Sequence, residues 1–467
     1  MNRPVLASAV AALLATQCSV AAESATPEAA RAEARDIYAR VIGYETVEGR
    51  GQVPAMAEYL AGLFRNVGFP DRDIEIIPNG ETVSLIVRYR GTDPALKPML
   101  LLAHMDVVEA KREDWKRDPF VLTEENGYFF GRGTMDVKAD VALITETFLR
   151  LKREGYAPKR DVVIAFSGDE ETGMRTARDL AQRLSGAEFA LNGDGGQGVL
   201  NNETGKPEVY YLQGAEKYYA SFEFTARNAG GHSSQPRPDN AIYELADALT
   251  ALHAYQFPVM SNAWTIGSFR EQAKVTPGPL GEAMARFAAD PNDSAAAATI
   301  SSSPQYVGKV RTTCVATMLR GGHADNALPQ SATATVNCRV FPGTPLDEVK
   351  ATLAKLAGPK IEVKVLGYPQ ASDPSPLRPD VVAAVTKAVH AGYPGVPVVP
   401  EMAAYATDGS VFRAAGIPTY GTSSIFLKGS DEFSHGLDER IPVYAFYAGL
   451  EHWYRLVTTL ANETSAR

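Results

Sequence analysis

The sequence predicts an α/β fold: a mixed, mostly parallel sheet covered by helices, interrupted by a smaller inserted domain. Three observations lead there. Apolar strand-like runs alternate with helical stretches from about Val83 to Gly196, the pattern of crossover units. Near Gly214 the order changes to strand, helix, strand, strand, helix, strand, a ferredoxin-like succession. After Pro369 the chain returns to α/β character, so one discontinuous domain (residues 23–213 and 370–467) encloses another (214–369).

Taken in order, the first segment is "MNRPVLASAVAALLATQCSVAAES". Arg3 precedes the mostly apolar run Val5 to Ala15, and Val20-Ala21-Ala22 supplies small residues for cleavage. Residues 1–22 therefore read as a secretory signal, with the mature protein expected to be secreted, into the periplasm; a lipoprotein start at Cys18 and a cytosolic amphipathic start are the alternatives. The run is too short for a membrane span, and no other stretch approaches that length. The strands follow as "VSLIVRYRG", "PMLLLAHMD", "DVVIAFSGD" and "FALNGDGG", with helices from Val137 to about Lys152 and over "ARDLAQRLS". In the insertion, "KYYASFEFTAR", "RTTCVATMLRGG", "SATATVNCRVF" and "KIEVKVLG" read as strands. "NAIYELADALTALHAY" and "PLDEVKATLAKLAG" read as its helices. Gln256 to Pro304 has little periodicity and reads as a long loop with room for one helix. A helix from Pro379 to Gly392, the run "IPTYGTS" and a last helix from Pro442 to Thr459 complete the outer domain.

The net charge of -9, with no clustered basic face, argues against a nucleic-acid partner. Of three cysteines, Cys314 and Cys338 lie beyond the signal, at equal distances from Asn326, as opposed residues of a hairpin would. A cross-strand disulfide and a pair of buried thiols both fit. A cysteine zinc site does not, since no histidine stands at ligand spacing.

Chemistry concentrates at the carboxyl ends of the predicted strands. "SGDEETG" sets Asp169, Glu170 and Glu171 side by side, where like charges repel unless a solvated turn or a cation accommodates them. His104 ends "LLLAH", and Asp106, two residues on, is on the side from which it reaches the second ring nitrogen; a satisfied core histidine is the plain alternative. Asp136 in "GRGTMD" starts a helix, where an N-cap is the plain alternative to a ligand. Asp194 in "NGDGG" and His435 in "DEFSHGLDERI" add two more. Oxygen ligands mixed with imidazole suit zinc, manganese or cobalt, and five ligands with one carboxylate shared make two sites.

The strings "LLLAHMDVV", "GRGTMDVKA", "SGDEETG", "GGHSSQP", "NALPQSATATVNCRVFPGT" and "SHGLDERI" resemble, in one consistent order from about Ile37 to Tyr454, the zinc aminoacylase and carboxypeptidase family. That family includes glutamate carboxypeptidase, acetylornithine deacetylase, succinyl-diaminopimelate desuccinylase and carboxypeptidase S-like enzymes. The resemblance implies a zinc-peptidase-like sheet with a lid and dimerisation domain, a homodimer, and two divalent ions, zinc foremost. It implies hydrolysis of an amide beside a free carboxylate, in a small peptide or an N-acyl amino acid. By it His104, Asp136 and Asp194 hold one ion, and Asp136, Glu171 and His435 the other. Glu170 is then the general base, and Asp106 and His232 stand with it as catalytic groups, His232 acting from the neighbouring subunit. Asn326 and Arg339 match positions that hold the substrate carboxylate. Val137 departs from the pattern in which a second acid follows the bridging aspartate. Asp408 either assists in the substrate loop or caps a helix, while Trp115 and Phe120 pack beneath the metal loop. The rival readings are a zinc aminopeptidase, against which the inserted domain speaks, and a non-catalytic peptide-binding relative, against which the complete ligand set speaks.

Overall fold

A computed structural model describes residues 26–463, so the signal segment at 1–22 lies outside the described residues. The larger of its sheets has ten strands. Four of them run parallel and adjacent: Val162–Ser167, Met99–His104, Phe189–Asn192 and Thr419–Gly421. Antiparallel strands flank them, Thr82–Tyr89 on one side and Pro207–Glu216 on the other, so the sheet is mixed.

The parallel strands are apolar throughout because both faces are covered. Period-two geometry divides each strand between two layers. Met99, Leu101 and Ala103 pack in the same cluster as the helices Lys138–Arg153, Glu28–Ile42 and Val443–Leu460. Leu100 and Leu102 face the opposite layer, with Ala177, Leu180 and Phe412. Each fully buried leucine contributes about 1.5–3 kcal/mol. The register sets the geometry of this edge: His104 lies opposite Ser167, so the carboxyl ends of neighbouring strands release their loops at one level.

Four antiparallel strands form the second sheet, in the order Thr313–Gly321, Ser331–Val340, Tyr218–Arg227, Ile361–Leu366. The helices Ala241–Ala254 and Leu346–Ala357 cover one face around Phe222, Phe224, Leu245, Val336 and Leu353, the ferredoxin-like pattern the sequence predicted. Cys314 opposes Cys338 across two strands and the pair forms a disulfide, which decides between the two cysteine readings.

One expectation fails. Residues 256–304 do not form a loop with room for one helix: they fold into Ala263–Gln272, Gly278–Ala289 and Ser294–Ser301 around Phe269, Met284, Phe287 and Ile300. Small residues such as Ala283, Ala296 and Ala297 carry much of the buried stripe, so hydrophobic periodicity is faint. The caps were nonetheless present: Asn262 forms a capping box with Thr265, and Asp293 accepts from the Ala296 amide. Among the described residues no helix is long and apolar enough to cross a membrane.

Candidate metal centre

The five ligands expected from sequence converge at the shared edge of the parallel strands. His104 is wholly buried, and its Nδ1 proton donates to the carbonyl of Asp106 at 3.0 Å. That leaves Nε2 facing Asp136 Oδ1 at 3.0 Å and Asp194 Oδ2 at 3.9 Å. On the other side His435 Nε2 lies 3.1 Å from both Asp136 Oδ2 and Glu171 Oε1. Asp136 thus presents one oxygen to each imidazole. Donor atoms of His104, Asp136 and Glu171 fall within 4.8 Å of one another, as do those of His104, Glu170 and Asp194.

The electrostatics call for positive charge. A neutral His104 whose proton is committed to a carbonyl turns a lone pair toward a carboxylate, an arrangement that only a shared proton or a cation reconciles. Hydrogen bonds to Asp136 and Glu171 push His435 up to about 10. Burial pulls His104 down, but Asp136, Asp194 and Asp106 outweigh it and raise the imidazole well above its ordinary range. Burial, then the charge of Asp194, lifts the Glu170 carboxyl well above the carboxylate range, and burial with Asp136 does the same to Asp194. Oxygen donors mixed with imidazole at these separations fit divalent cations such as zinc.

The three consecutive acids divide their tasks. Asp169 turns away from the cleft and accepts from the backbone amides of Arg175 and Thr176, at the start of the helix Arg175–Arg183. Glu170 and Glu171 line the cleft. Asp106 departs from expectation: its carbonyl takes the His104 proton, while its carboxylate stands 3.6 Å from Nδ1. The carboxylate accepts instead from the amides of Glu170 and Glu171 at 3.1 and 3.0 Å, because the neighbouring strand leaves the sheet at the same level. Asp136 is not an N-cap; the helix begins at Lys138 and has no side-chain cap.

Glycines let the Asp194 loop pass close to its neighbours. Gly196 has φ +64°, and a Cβ there would collide with the carbonyl of Gly421. Asp408 stands at the N-cap position of the helix Gly409–Ala414 but caps it with no side-chain bond: its carboxylate accepts instead from Ser167 Oγ and Asn192 Nδ2, both at 3.0 Å, and ties two strand ends together. Trp115 and Phe120 are buried in a small cluster with Val107.

Sequence reasoning missed three supports. Glu439, wholly buried, accepts from the amides of Gly133, Met135 and Asp136. Glu216 and Arg413 form a buried ion pair beside Thr407. Tyr405 walls the cleft and donates to Gln213. Only Glu439 left a trace, in "DERI" just after His435.

A cleft of about 580 Å³ opens over these groups, and Arg339 lines it together with Glu170, Asp194 and His435. Burial lowers the Arg339 guanidinium from its ordinary value, and the group rests 5.0 Å from the Tyr219 ring. His232 and Asn326 are elsewhere. Both are exposed, on or beside a ribbon that pairs Gly231–His232 with Ala327–Leu328, and neither lines this cleft. An intrachain carboxylate contact through Asn326 therefore does not form in this arrangement.

The family model for peptidase family M20/M25/M40 matches residues 100–459. An N-fatty-acyl-amino acid synthase/hydrolase PM20D1 from Xenopus tropicalis is 31% identical over 387 residues, 80% of this chain and 74% of its own length. Human aminoacylase-1 is 24% identical, with 91% of this chain and 95% of that protein covered. Among solved structures, an M20 family metallo-carboxypeptidase, Sso-CP2 from Sulfolobus solfataricus, superposes with a TM-score of 0.70 at 18% identity, covering 92% and 99% of the two chains. The chain belongs to peptidase family M20/M25/M40 and is a metal-dependent hydrolase of amide bonds.

Proposed function

We propose that the protein uses two divalent ions, zinc foremost and manganese or cobalt as alternatives, to hydrolyse an amide beside a free carboxylate in an N-acyl amino acid or a small peptide. The observation that carries this is Asp136, with one carboxylate oxygen directed to His104 and the other to His435. His104, Asp136 and Asp194 would hold one ion, and Asp136, Glu171 and His435 the other. Bound there, the ions would acidify a shared water and offset charge developing on the scissile carbonyl. Glu170 takes the water's proton and returns it to the leaving amine; its raised affinity for a proton suits that exchange. The Asp106 carboxylate holds the Glu170 and Glu171 amides, which keeps base and ligand in register. Arg339 offers a guanidinium fork to the substrate carboxylate. A relative named for N-fatty-acyl-amino acids supports an acylated amino acid as substrate.

His232 and Asn326 enter this reading from a second copy of the chain. Thr313–Gly321 is an edge strand with Val315, Met318 and Leu319 exposed, which suits pairing with its own symmetry mate. There His232 would donate to the oxyanion. The disulfide supports a secreted, periplasmic location, since such bonds persist in oxidising compartments. Metal analysis combined with hydrolysis assays on acyl-amino acids and dipeptides tests the proposal. Two ions per chain and carboxylate-dependent turnover are expected. A preference for substrates with a free amino terminus and a blocked carboxylate would establish the aminopeptidase instead, and tight peptide binding without turnover the non-catalytic relative.

A further inference from the structure

Two loops carry two of the three ligands assigned to the His435-side ion, Asp136 and His435; the third, Glu171, follows the strand Val162–Ser167. One loop runs from Gly131 to Asp136, the other from His435 to Glu439, and a single buried pair joins them. Glu439 Oε2 accepts from Arg132 at 2.6 Å and from the Gly133 amide at 3.1 Å. Its Oε1 accepts from the amides of Met135 at 2.7 Å and Asp136 at 3.1 Å. The carboxylate is thereby saturated by four donors, three of them backbone amides of the loop that ends in Asp136. Arg132 acts in the reverse direction: besides Glu439 it donates to the carbonyl of Gly436, the residue after His435, at 3.2 Å. The two side chains are 3% and 0% exposed, so neither exchanges its partners for water.

Around this pair the backbones are also joined. Tyr128–Phe130 pairs with Arg440–Pro442, and the Gly131 amide donates to the Glu439 carbonyl. The turn between His435 and Glu439 is tight, with φ +62° at His435 and +52° at Asp438, both in the left-handed region that non-glycine residues seldom adopt. Such a turn needs outside support, and Arg132 on Gly436 supplies it. Trp115 shields the guanidinium, its ring 5.1 Å away.

We infer that Arg132 and Glu439 form a latch that positions Asp136 and His435 against each other and so sets the affinity of the metal centre. Both are positioning residues; neither lines the cleft. The inference rests on the assignment of Asp136 and His435 as ligands. Removing one member leaves the other charged and buried, with loop amides unpaired. Outer partners of metal ligands typically change affinity by about 10–100-fold when altered. The strain falls on the contact between Asp136 Oδ2 and His435 Nε2, so the ion on the His435 side should suffer more than the one beside His104 and Asp194.

The test is titration of metal-stripped full-length protein with zinc against a chromogenic chelator, and with cobalt by visible absorption. The proteins are wild type, Glu439→Gln, Arg132→Lys, the double variant and His435→Ala. Glu439→Gln should weaken the second of two binding steps about 10–100-fold and alter the cobalt spectrum, with the first step changed much less. The double variant should lose little more than either single change, because each alone opens the same latch. Should Glu439→Gln fail to fold, Arg132→Lys carries the measurement, since it keeps the charge while losing the fork that reaches Glu439 and Gly436 together. Zinc affinity within twofold of wild type and an unchanged cobalt spectrum in a folded latch variant would overturn the inference. If His435→Ala also kept full affinity, the ligand assignment itself would fall, which separates the two failures.

Discussion

The ligand cluster and the His232 ribbon hold residues of similar chemistry in opposite settings. His104 is wholly buried at the end of a strand in a four-stranded parallel stack, with one ring nitrogen fixed by a carbonyl and the other by an acid. His232 is exposed on a two-residue strand, and its Nδ1 contacts only Ser234 of its own turn. The first is organised by the core and needs nothing further to reach its geometry. The second has no reaction partner within its own cleft. In the proposed reading, the groups that would bind ions are built into the sheet edge, and those that would stabilise the transition state arrive from outside. That division suits an enzyme whose site is completed by a second subunit or by closure of the inserted domain.

The largest expected effect lies on the rigid side. Glu170→Gln keeps the side chain's volume and its amide bond to Asp106 but cannot accept the proton, so kcat should fall about 10²–10⁴-fold. Bound metal, measured by elemental analysis, should stay at the wild-type level. Loss of the metal together with activity would mean that Glu170 is a ligand rather than the base.

The next prediction separates the two regions. His232→Ala should cost about 10²–10³-fold in kcat with metal content unchanged. Mixing Glu170→Gln and His232→Ala chains after dissociation should restore about a quarter of wild-type activity if His232 acts between subunits, since one site of each mixed dimer is then intact. No recovery, from a mixture shown to exchange, would place His232 in its own subunit's cleft after closure.

Arg339 stands between the regions: it belongs to the inserted sheet yet lines the cleft. Arg339→Met should raise KM for carboxylate substrates about 10–100-fold, the value of one or two charge-assisted hydrogen bonds, and leave amidated analogues nearly unaffected. An equal loss on both substrate forms would assign the guanidinium another role.

How much of this was legible follows from what sequence pattern can carry. His104, the acids Asp169 to Glu171 and Asp194 were readable as candidates because each follows an apolar run at a predicted strand end, and strand ends in a parallel stack meet at one edge; Asp136, His435 and the choice of Glu171 as ligand came from the family resemblance. The supporting roles of Glu439, Arg132 and Asp408 were not, although Asp408 was singled out and Glu439 stands in "DERI". They act by hydrogen bonds across about 240 to 310 residues of chain, and nothing in local spacing marks a buried carboxylate that holds another residue's amide. Asp106 shows the same limit: its spacing from His104 was read correctly, but only the fold reveals that its carbonyl and carboxylate serve different partners. The helices at 263–301 were missed because buried Thr265, Ser268 and Gln272 break the apolar stripe of the first and alanine fills much of it in the other two, although Asn262 and Asp293 announced the caps.

The smallest effect on chemistry should come from the disulfide, and its value lies in that smallness. Cys314 and Cys338 join the edge strand Thr313–Gly321 to its neighbour, one residue from Arg339 and far along the chain from every metal ligand. Closing 24 residues of chain should stabilise the inserted sheet by about 3 kcal/mol, chiefly by restricting the unfolded chain. Cys314→Ser/Cys338→Ser should therefore lower the unfolding midpoint in urea while leaving zinc affinity and the kcat of the folded fraction near wild type. If zinc affinity fell with stability, the sheet edge would depend on the inserted domain for its geometry, and the contrast between a self-sufficient metal cluster and a dependent lid would fail.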